Sequence, residues 1–406
     1  MSYRALLHET RPTFLVLGFL ARLPYAMAAL GTLLLLQSAT GSYGFAGAAA
    51  GLQNLAIAAG GVIAGRLTER LGLRRLGALT AVANAAALGG LIAATHLGRP
   101  AMLAAAVAVG LAQAQIGALT RTHWSQVAGS RAGLLASALS YEAAADEASF
   151  IVGPAAVGLL AAIATPVPVA AAAALLLVAA LPLARRYAEP GRIHHATGRA
   201  ALPVLRLAPL ALAMAFIGAI FGVLQIGVTA SASPGAAGLL YAELGLGSAL
   251  AGLAYGWLPA RFGFRARYRT FAGTLLAGMT VIALGGVLLP LPVAFVVAGA
   301  TVAPYLISVY ALAERASAGR VAVALTVVGA GGPVGTAVGQ TVAGALVDGH
   351  GARAAFVLAA VLAGLAVLNS LVPARRPRSG DVRVAGAQCP PGPHPEPRGT
   401  VSCGQA

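Results

Sequence analysis

Ionisable residues occur inside two long apolar segments of this chain. Arg22 lies in the first segment, and Glu142, Asp146 and Glu147 lie in the fifth. Charged groups are costly in the hydrocarbon of a membrane unless they have a partner or reach a water-lined cavity. A carboxyl group that loses hydration beside other acids is protonated more easily, so it can take up and release protons. These four residues therefore predict a proton-coupling centre.

Arg22 and Glu142 are expected at the same depth in the membrane. Arg22 follows Arg11 by 11 residues, and Glu142 follows Arg131 by the same number. At about 1.5 Å per residue, each group lies about 16 Å beyond its surface arginine, near the middle of a hydrocarbon core about 30 Å thick. Equal depth permits the two side chains to pair.

The three acids of the fifth segment do not all point the same way. Asp146 is four residues after Glu142 and shares its helix face, whereas Glu147 is rotated by about 100°. Three acids against one arginine leave an excess of negative charge, so at least one carboxyl group should be protonated part of the time. In the alternative interpretation, one acid pairs structurally with Arg22 and the others meet water in a central cavity.

The elements that must position these residues are membrane-spanning helices. Hydrophobic residues make up 59% of the 406 residues, charged residues make up 9%, and the mean hydropathy is +0.83, so there are too few charges for the surface of a soluble protein. A span needs about 20 apolar residues. The sequence predicts an all-α membrane protein with twelve transmembrane helices, at about 13–37, 43–64, 76–96, 100–120, 133–162, 166–184, 204–231, 235–259, 270–290, 292–313, 321–347 and 354–373.

The arginines predict the orientation of the chain. Of the 27, 24 lie in or directly beside the terminal segments and even-numbered loops, only Arg99 and Arg353 lie in odd-numbered loops, and Arg22 lies in the first span. Positive residues are enriched on the cytoplasmic side. We therefore expect a multi-pass protein of the inner, cytoplasmic cell membrane with both termini in the cytoplasm. The net charge of +16 reflects this topology and does not indicate a nucleic-acid partner.

Polar segments predict the domain organisation. The longest interior one, 185–203, contains His194 and His195 and is the natural linker between the segments 1–184 and 204–373. The tail, 374–406, is rich in Pro, Gly and Arg and poor in apolar residues, so we expect it to be disordered and cytoplasmic.

A short basic motif, GRLTERLGLRRL, separates the second and third apolar segments and recurs in part 191 positions later. A repeat at that distance indicates two similar halves. The motif resembles the cytoplasmic loop signature of the major facilitator superfamily, although Leu73 stands where that family often has a basic residue. The residues that match are Gly65, Leu67, Glu69, Arg70, Gly72, Arg74 and Arg75.

This resemblance implies a bacterial secondary transporter in which two pseudo-symmetric six-helix bundles enclose a midplane site and expose it alternately to each side. It implies a monomer, and it assigns Glu69 and the loop arginines to a cytoplasmic latch that holds the halves together in the outward-open state.

The fifth segment also contains Gly153, Pro154 and Gly158, where a helix can bend or pack closely. These residues partly match the Gly-Pro signature on the fifth helix of drug:proton antiporters. The fourth segment departs from those exporters, because Ala112 stands where many have an arginine. Arg121 and Trp124 at its cytoplasmic end are expected to be interfacial anchors.

Polar residues elsewhere in the spans are possible substrate contacts or interhelical hydrogen-bonding groups. Glu243 is expected near the outer edge of the core. The candidates are Gln53, Asn54, Gln113, Gln225, Glu243, Tyr305 and Gln340.

The function that these patterns favour is proton-coupled efflux of a small, hydrophobic molecule. Proton-linked uptake and sugar efflux remain alternatives, because the same fold supports them. The chain has no HExxH, GxSxG or GxxxxGK[S/T] motif, so neither an enzyme nor direct ATP drive is expected. We expect no metal site and no cofactor besides the proton gradient as the energy source. The expected partners are the substrate, protons and the lipid bilayer.

Overall fold

The described residues are helical almost throughout, because backbone groups in a bilayer must form hydrogen bonds within their own segment and runs of Ala, Leu and Val favour helix. The computed structural model describes residues 12–129, 131–188, 204–259, 262–285, 288–317 and 321–372. No strand occurs within these ranges. The helices are α1 (Pro12–Leu20), α2 (Leu23–Thr40), α3 (Tyr43–Ala94), α4 (Arg99–Leu111), α5 (Ile116–Ala128), α6 (Ala132–Ala161), α7 (Val167–Leu175), α8 (Leu181–Ala184), α9 (Val204–Ser231), α10 (Pro234–Ala254), α11 (Phe264–Ala283), α12 (Leu291–Ala316), α13 (Val321–Gly329), α14 (Gly331–His350) and α15 (Ala352–Leu371).

Ten continuous or nearly continuous helical stretches in the described residues are long and apolar enough to cross a membrane. Two further features account for the difference from the predicted twelve. The 52-residue α3 has room for two spans, and α11 has the length of a span but carries Arg265, Arg267 and Arg269 near its start. The protein is therefore an all-α, multi-pass membrane protein.

The basic motif between the second and third predicted spans is helical on both sides of Gly72. Gly72 has φ 74° and ψ 166°, which interrupts α3 and lets the chain change direction. Glycine adopts this left-handed region without a steric penalty. The segment 65–75, which the sequence places between two spans, is therefore helical except at Gly72, and the flanking spans extend towards that residue.

Other spans are broken near their middle. The first span is interrupted at Ala21 and Arg22 between α1 and α2. The fourth is interrupted at 112–115, then continues as α5 to Ala128, eight residues beyond the predicted end. A third break falls at Ala330, between α13 and α14.

Helices before and after the 189–203 gap pack mainly with their own group. In the first group, α3 packs on α2, α4 and α7, and α6 packs on α2 and α5; in the second, α9 packs on α14 and α15, and α12 packs on α10 and α11. The two groups meet chiefly through α3 with α14 and α6 with α10, and Met1–Val372 forms one compact unit. The division into bundles 1–184 and 204–373 stays a prediction, while the histidines of the linker and the tail 374–406 lie outside the described residues.

Glycines permit the close approach between these groups. A Cβ on Gly51 would lie 2.8 Å from the Ala337 carbonyl oxygen of α14, and one on Gly158 would lie 2.5 Å from the Gly235 carbonyl oxygen of α10. Asp348 near the end of α14 also accepts hydrogen bonds from the backbone amides of Tyr43 and Gly44 at 2.8 and 2.9 Å. All these contacts lie at the helix ends that the arginine distribution assigns to the outer side.

Candidate functional site

Arg22 is the centre of a buried hydrogen-bonded cluster at the break between α1 and α2. Its side chain is 4% exposed. Its Nη1 donates to the Gly18 carbonyl oxygen at 2.6 Å, which uses a backbone group next to the break. Its Nε donates to Asp146 Oδ1 at 2.8 Å, and its Nη2 donates to Thr120 Oγ1 at 2.8 Å and to Glu142 Oε2. Arg22 is therefore fixed by the first, fourth and fifth spans together.

Glu142 is the most deeply buried acid of this cluster, with a side chain 1% exposed. Besides Arg22, it binds the Thr120 hydroxyl at Oε2 and the Trp124 indole at Oε1, where Nε1 donates at 2.9 Å. Both carboxylate oxygens are therefore satisfied by donors. A buried ion pair needs such additional hydrogen bonds to offset its desolvation.

Asp146 joins the buried cluster to a second arginine. One carboxylate oxygen accepts from Arg22 Nε, and the other forms an ion pair with Arg121 Nη2. Two arginines thus face two carboxylates, and their formal charges sum to zero. The expected excess of negative charge is reduced, because α5 brings in Arg121 and the three acids of α6 then face two arginines. The expectation that Trp124 is an interfacial anchor is wrong, because its side chain is fully buried and donates to Glu142, whereas Arg121 is 48% exposed and joins the cluster through Asp146.

Glu147 lies outside this cluster, on a different face of α6. It lines a cavity between the two helix groups and is exposed. Among the described residues, no group donates a hydrogen bond to its carboxylate and no cation pairs with it. The structure therefore separates the four predicted residues into three paired groups and one unpaired acid.

The cavity has a volume of about 360 Å³, which is within the range for small-molecule sites. Helices of both groups contribute to its wall, and most of the wall is aliphatic or aromatic. Its polar and aromatic residues are Tyr25, Asn54, Glu147, Phe150, Phe221, Gln225, Tyr241, Ser248, Tyr310 and Thr336.

A chain of hydrogen-bonded amides connects the two helix groups at this cavity. Asn54 Nδ2 donates to Gln340 Oε1 at 2.9 Å, Gln340 Nε2 donates to Gln225 Oε1 at 2.7 Å, and Gln225 Nε2 donates to Tyr241 OH at 3.1 Å. Asn54, Gln225 and Tyr241 reach the cavity wall, whereas Gln340 is fully buried between them.

The other predicted contact residues do not reach the described wall of this cavity. Tyr305 is buried and its hydroxyl donates to the Ala213 carbonyl oxygen at 3.2 Å. Gln53 and Gln113 are buried beside α4, and each has a side-chain oxygen without a hydrogen-bond partner among the described residues. Glu243 is half-buried on α10, and its Oε2 likewise has no partner in the described part of the chain.

The Gly-Pro segment of α6 provides close packing. The helix continues through Pro154 to Ala161. A Cβ on Gly153 would lie 2.6 Å from Ala26 Cβ on α2, whereas Gly158 contacts α10. These two residues therefore hold α6 against one helix of each group.

The loop motif is mostly solvent-facing. Gly65, Glu69, Arg70, Arg74 and Arg75 are exposed, and Gly72 is buried. Arg74 Nε donates to the Tyr187 carbonyl oxygen at 2.6 Å, which ties the motif to the end of the sixth span. Burial raises the pKa of the Tyr187 phenol, so this tyrosine stays neutral and serves as a packing group.

Comparisons with known proteins agree in pointing to membrane transporters. The family model of the Major Facilitator Superfamily matches residues 207–398. No curated protein matches the sequence significantly. This match to part of the chain and the fold over 88% of its length support a major facilitator superfamily transporter, and both the matched family and the similar structures are transporters and not enzymes.

Three solved structures illustrate the fold similarity. The nucleoside transporter NupG is 15% identical with a TM-score of 0.72, covering 88% of this chain and 96% of its own. A D-xylose-proton symporter is 15% identical with a TM-score of 0.66, covering 89% and 98%. A bacterial homologue of the iron transporter ferroportin, in an inward-facing state, is 14% identical with a TM-score of 0.62, covering 88% and 99%. The chain has the major facilitator fold over 88% or more of its length, which confirms the predicted all-α membrane fold class, while the count of twelve helices stays a prediction.

Proposed function

We propose that this protein is a proton-coupled exporter, in which a small, largely apolar molecule and a proton use the central cavity alternately. The observation that carries the proposal is Glu147, an acid without a partner among the described residues in the wall of a cavity between two helix groups. Such a group can exchange protons with water without breaking a structural contact. The apolar wall favours a hydrophobic substrate.

The paired cluster has a different role in this proposal. Glu142 and Asp146 are held by arginines and by Trp124, so the loss of either carboxylate would leave a buried arginine with fewer partners. We assign Arg22, Glu142 and Asp146 to holding the broken first span against the fourth and fifth. Glu147 is then the group that is protonated and deprotonated in each cycle.

Gating and topology follow from the same proposal. The glycine contacts between α3 and α14 and between α6 and α10 would close the outer side, and the loop residues Glu69, Arg70, Arg74 and Arg75 would close the cytoplasmic side when the cavity opens outwards. We place the protein in a bacterial inner membrane with both termini in the cytoplasm, and we treat the monomer as the transport unit. Substitution of Glu69 by Gln should shift accessibility labelling towards the inward-open state.

A second candidate is proton-linked uptake of a polar solute. The observation that favours it is the amide chain, since Asn54 and Gln225 place polar side chains on an otherwise largely apolar cavity wall. One structure with the same fold is that of a D-xylose-proton symporter.

Proton movement in everted membrane vesicles tests these alternatives. Compounds would first be selected by changed susceptibility of cells that produce the protein, then added to vesicles with an acidic lumen and a pH-sensitive dye. Export predicts that the compound enters and protons leave, so the pH gradient falls. Uptake by symport predicts no such loss of the gradient. Glu147→Gln should abolish the response, and the matched variant Glu243→Gln, at an acid away from the described cavity wall, should retain it. If both variants keep the response, the assignment of Glu147 is contradicted.

A further inference from the structure

The described wall of the central cavity carries one formal charge, and that charge is negative. Glu147 is its single carboxylate, and no arginine or histidine occurs among its described lining residues. The nearby arginines do not compensate it, because Arg22 and Arg121 are bound to Glu142 and Asp146. A bound anion would therefore meet an acid and no cation, whereas a bound cation would find its partner.

Aromatic side chains line the same cavity as this carboxylate. Phe150 is three residues after Glu147 and therefore on the same side of α6. Its ring packs edge to face with Tyr25 of α2, with centroids 6.2 Å apart. Phe221, Tyr241 and Tyr310 contribute further rings from the second helix group. Aromatic faces attract cations as well as apolar groups, so the wall suits a positive charge attached to a hydrophobic body.

Neutral polar groups restrict the cargo further. Gln225 and Asn54 already use amide groups in the chain to Gln340 and Tyr241, which leaves few free donors for a heavily hydroxylated molecule. A volume of about 360 Å³ accommodates a body of a few rings. The charge, the apolar and aromatic wall and the volume of the cavity thus all favour a small hydrophobic cation.

We propose that the cavity binds monovalent organic cations with an aromatic or aliphatic body, and that cation and proton compete for Glu147. This rests on the proposed transport function for its physiological meaning, but the binding itself does not require transport. The titratable and charged groups that line the cavity with Glu147 or adjoin it in sequence are Tyr25 from α2, Tyr241 from α10, Tyr310 from α12, and Asp146 with its partners Arg22 and Arg121. Of these, the tyrosines are neutral at physiological pH, and the arginines and Asp146 are paired.

Two ions of equal size and opposite charge test the proposal. Tetraphenylphosphonium and tetraphenylborate would be titrated into the full-length protein in lipid nanodiscs at several pH values. We expect the cation to bind more tightly than the anion, and its affinity to fall as the pH is lowered. In Glu147→Gln the affinity for the cation should fall by at least about tenfold and lose its pH dependence. Glu243→Gln should bind like the unmodified protein.

Each outcome decides between supporting and overturning the inference. Equal binding of both ions, tighter binding of tetraphenylborate, or unchanged cation binding in Glu147→Gln would overturn it. Cation binding that depends on Glu147, without proton movement in vesicles, would support this inference and refute the proposed export. Proton-coupled transport of neutral compounds, without cation binding, would refute this inference and leave the proposed export intact.

Discussion

Asp146 and Glu147 are consecutive residues of α6, yet they lie in different surroundings. Asp146 accepts from Arg22 and pairs with Arg121, within a cluster that also holds Glu142. Glu147, rotated around the helix, faces the cavity and has no partner among the described residues. The comparison separates two uses of an acid in a membrane: a paired one that joins helices and an unpaired one that can exchange protons. Four substitutions test this division, from the largest expected effect on stability to the smallest.

Glu142→Gln should be the most destabilising change. It removes the charge that balances a 4% exposed Arg22, and breaking a buried pair in this way lowers the free energy of unfolding by about 3–5 kcal/mol. Thermal unfolding in detergent measures the loss. The same chemical change at Glu147 is the matched control. Equal stability of the two variants would contradict the structural role of the cluster.

Trp124→Phe should have an intermediate effect. The variant keeps an aromatic ring in a fully buried position but removes the indole donor to Glu142 Oε1. Leaving one buried acceptor unsatisfied costs about 1–3 kcal/mol. Trp257→Phe, at a tryptophan that is 86% exposed, provides the control for loss of an indole. A variant at position 124 that unfolds at the same temperature as this control would show that the hydrogen bond contributes nothing.

Asp146→Asn should cost about 1 kcal/mol or less. Its carboxylate is 31% exposed and Arg121 is 48% exposed, so water can take over part of the lost interaction. Arg22 also keeps Glu142. Unfolding of Asp146→Asn, of Arg121→Gln and of the double variant would measure the coupling between the two residues. A loss as large as that of Glu142→Gln would place Asp146 in the deeply buried part of the cluster.

Glu147→Gln should change the free energy of unfolding by no more than about 0.5 kcal/mol, because no described contact depends on the carboxylate. The expected effect is instead on function. Chemical unfolding and compound susceptibility measured on the same preparations would separate the two. Marked destabilisation of this variant would indicate that Glu147 has a structural partner.

Part of this division could be predicted from sequence. The 16-Å depth estimate placed Arg22 and Glu142 together, and the 100° rotation between successive helix residues separated Glu147 from its neighbours. Arg121 and Trp124 were missed as cluster members because the apolar window of the fourth span ends at 120, whereas the helix continues to Ala128. The four-residue spacing of Thr120 and Trp124 was the available signal, since it places both on one face.

The position of the break at 112–115 could not be inferred in the same way. No proline or glycine falls between Ala112 and Gln115, and hydrophobicity alone does not distinguish a continuous span from one that is interrupted and displaced. This displacement is what brings α5 to the acids of α6. Gln53 and Gln340 are the same residue type and both are buried, yet only Gln340 forms hydrogen bonds that connect the two helix groups. This difference depends on which helices pack around each residue, so it could not be predicted from the sequence.

The central claim is that Glu147, and not its paired neighbour, exchanges protons with the cavity. Its most direct test is proton flux driven by one transported compound in liposomes, compared between Asp146→Asn and Glu147→Gln at equal amounts of folded protein. The account predicts that Asp146→Asn still couples compound movement to proton movement, whereas Glu147→Gln moves the compound only down its own gradient and moves no protons. Coupled flux in Glu147→Gln, with coupling lost in Asp146→Asn, would contradict it.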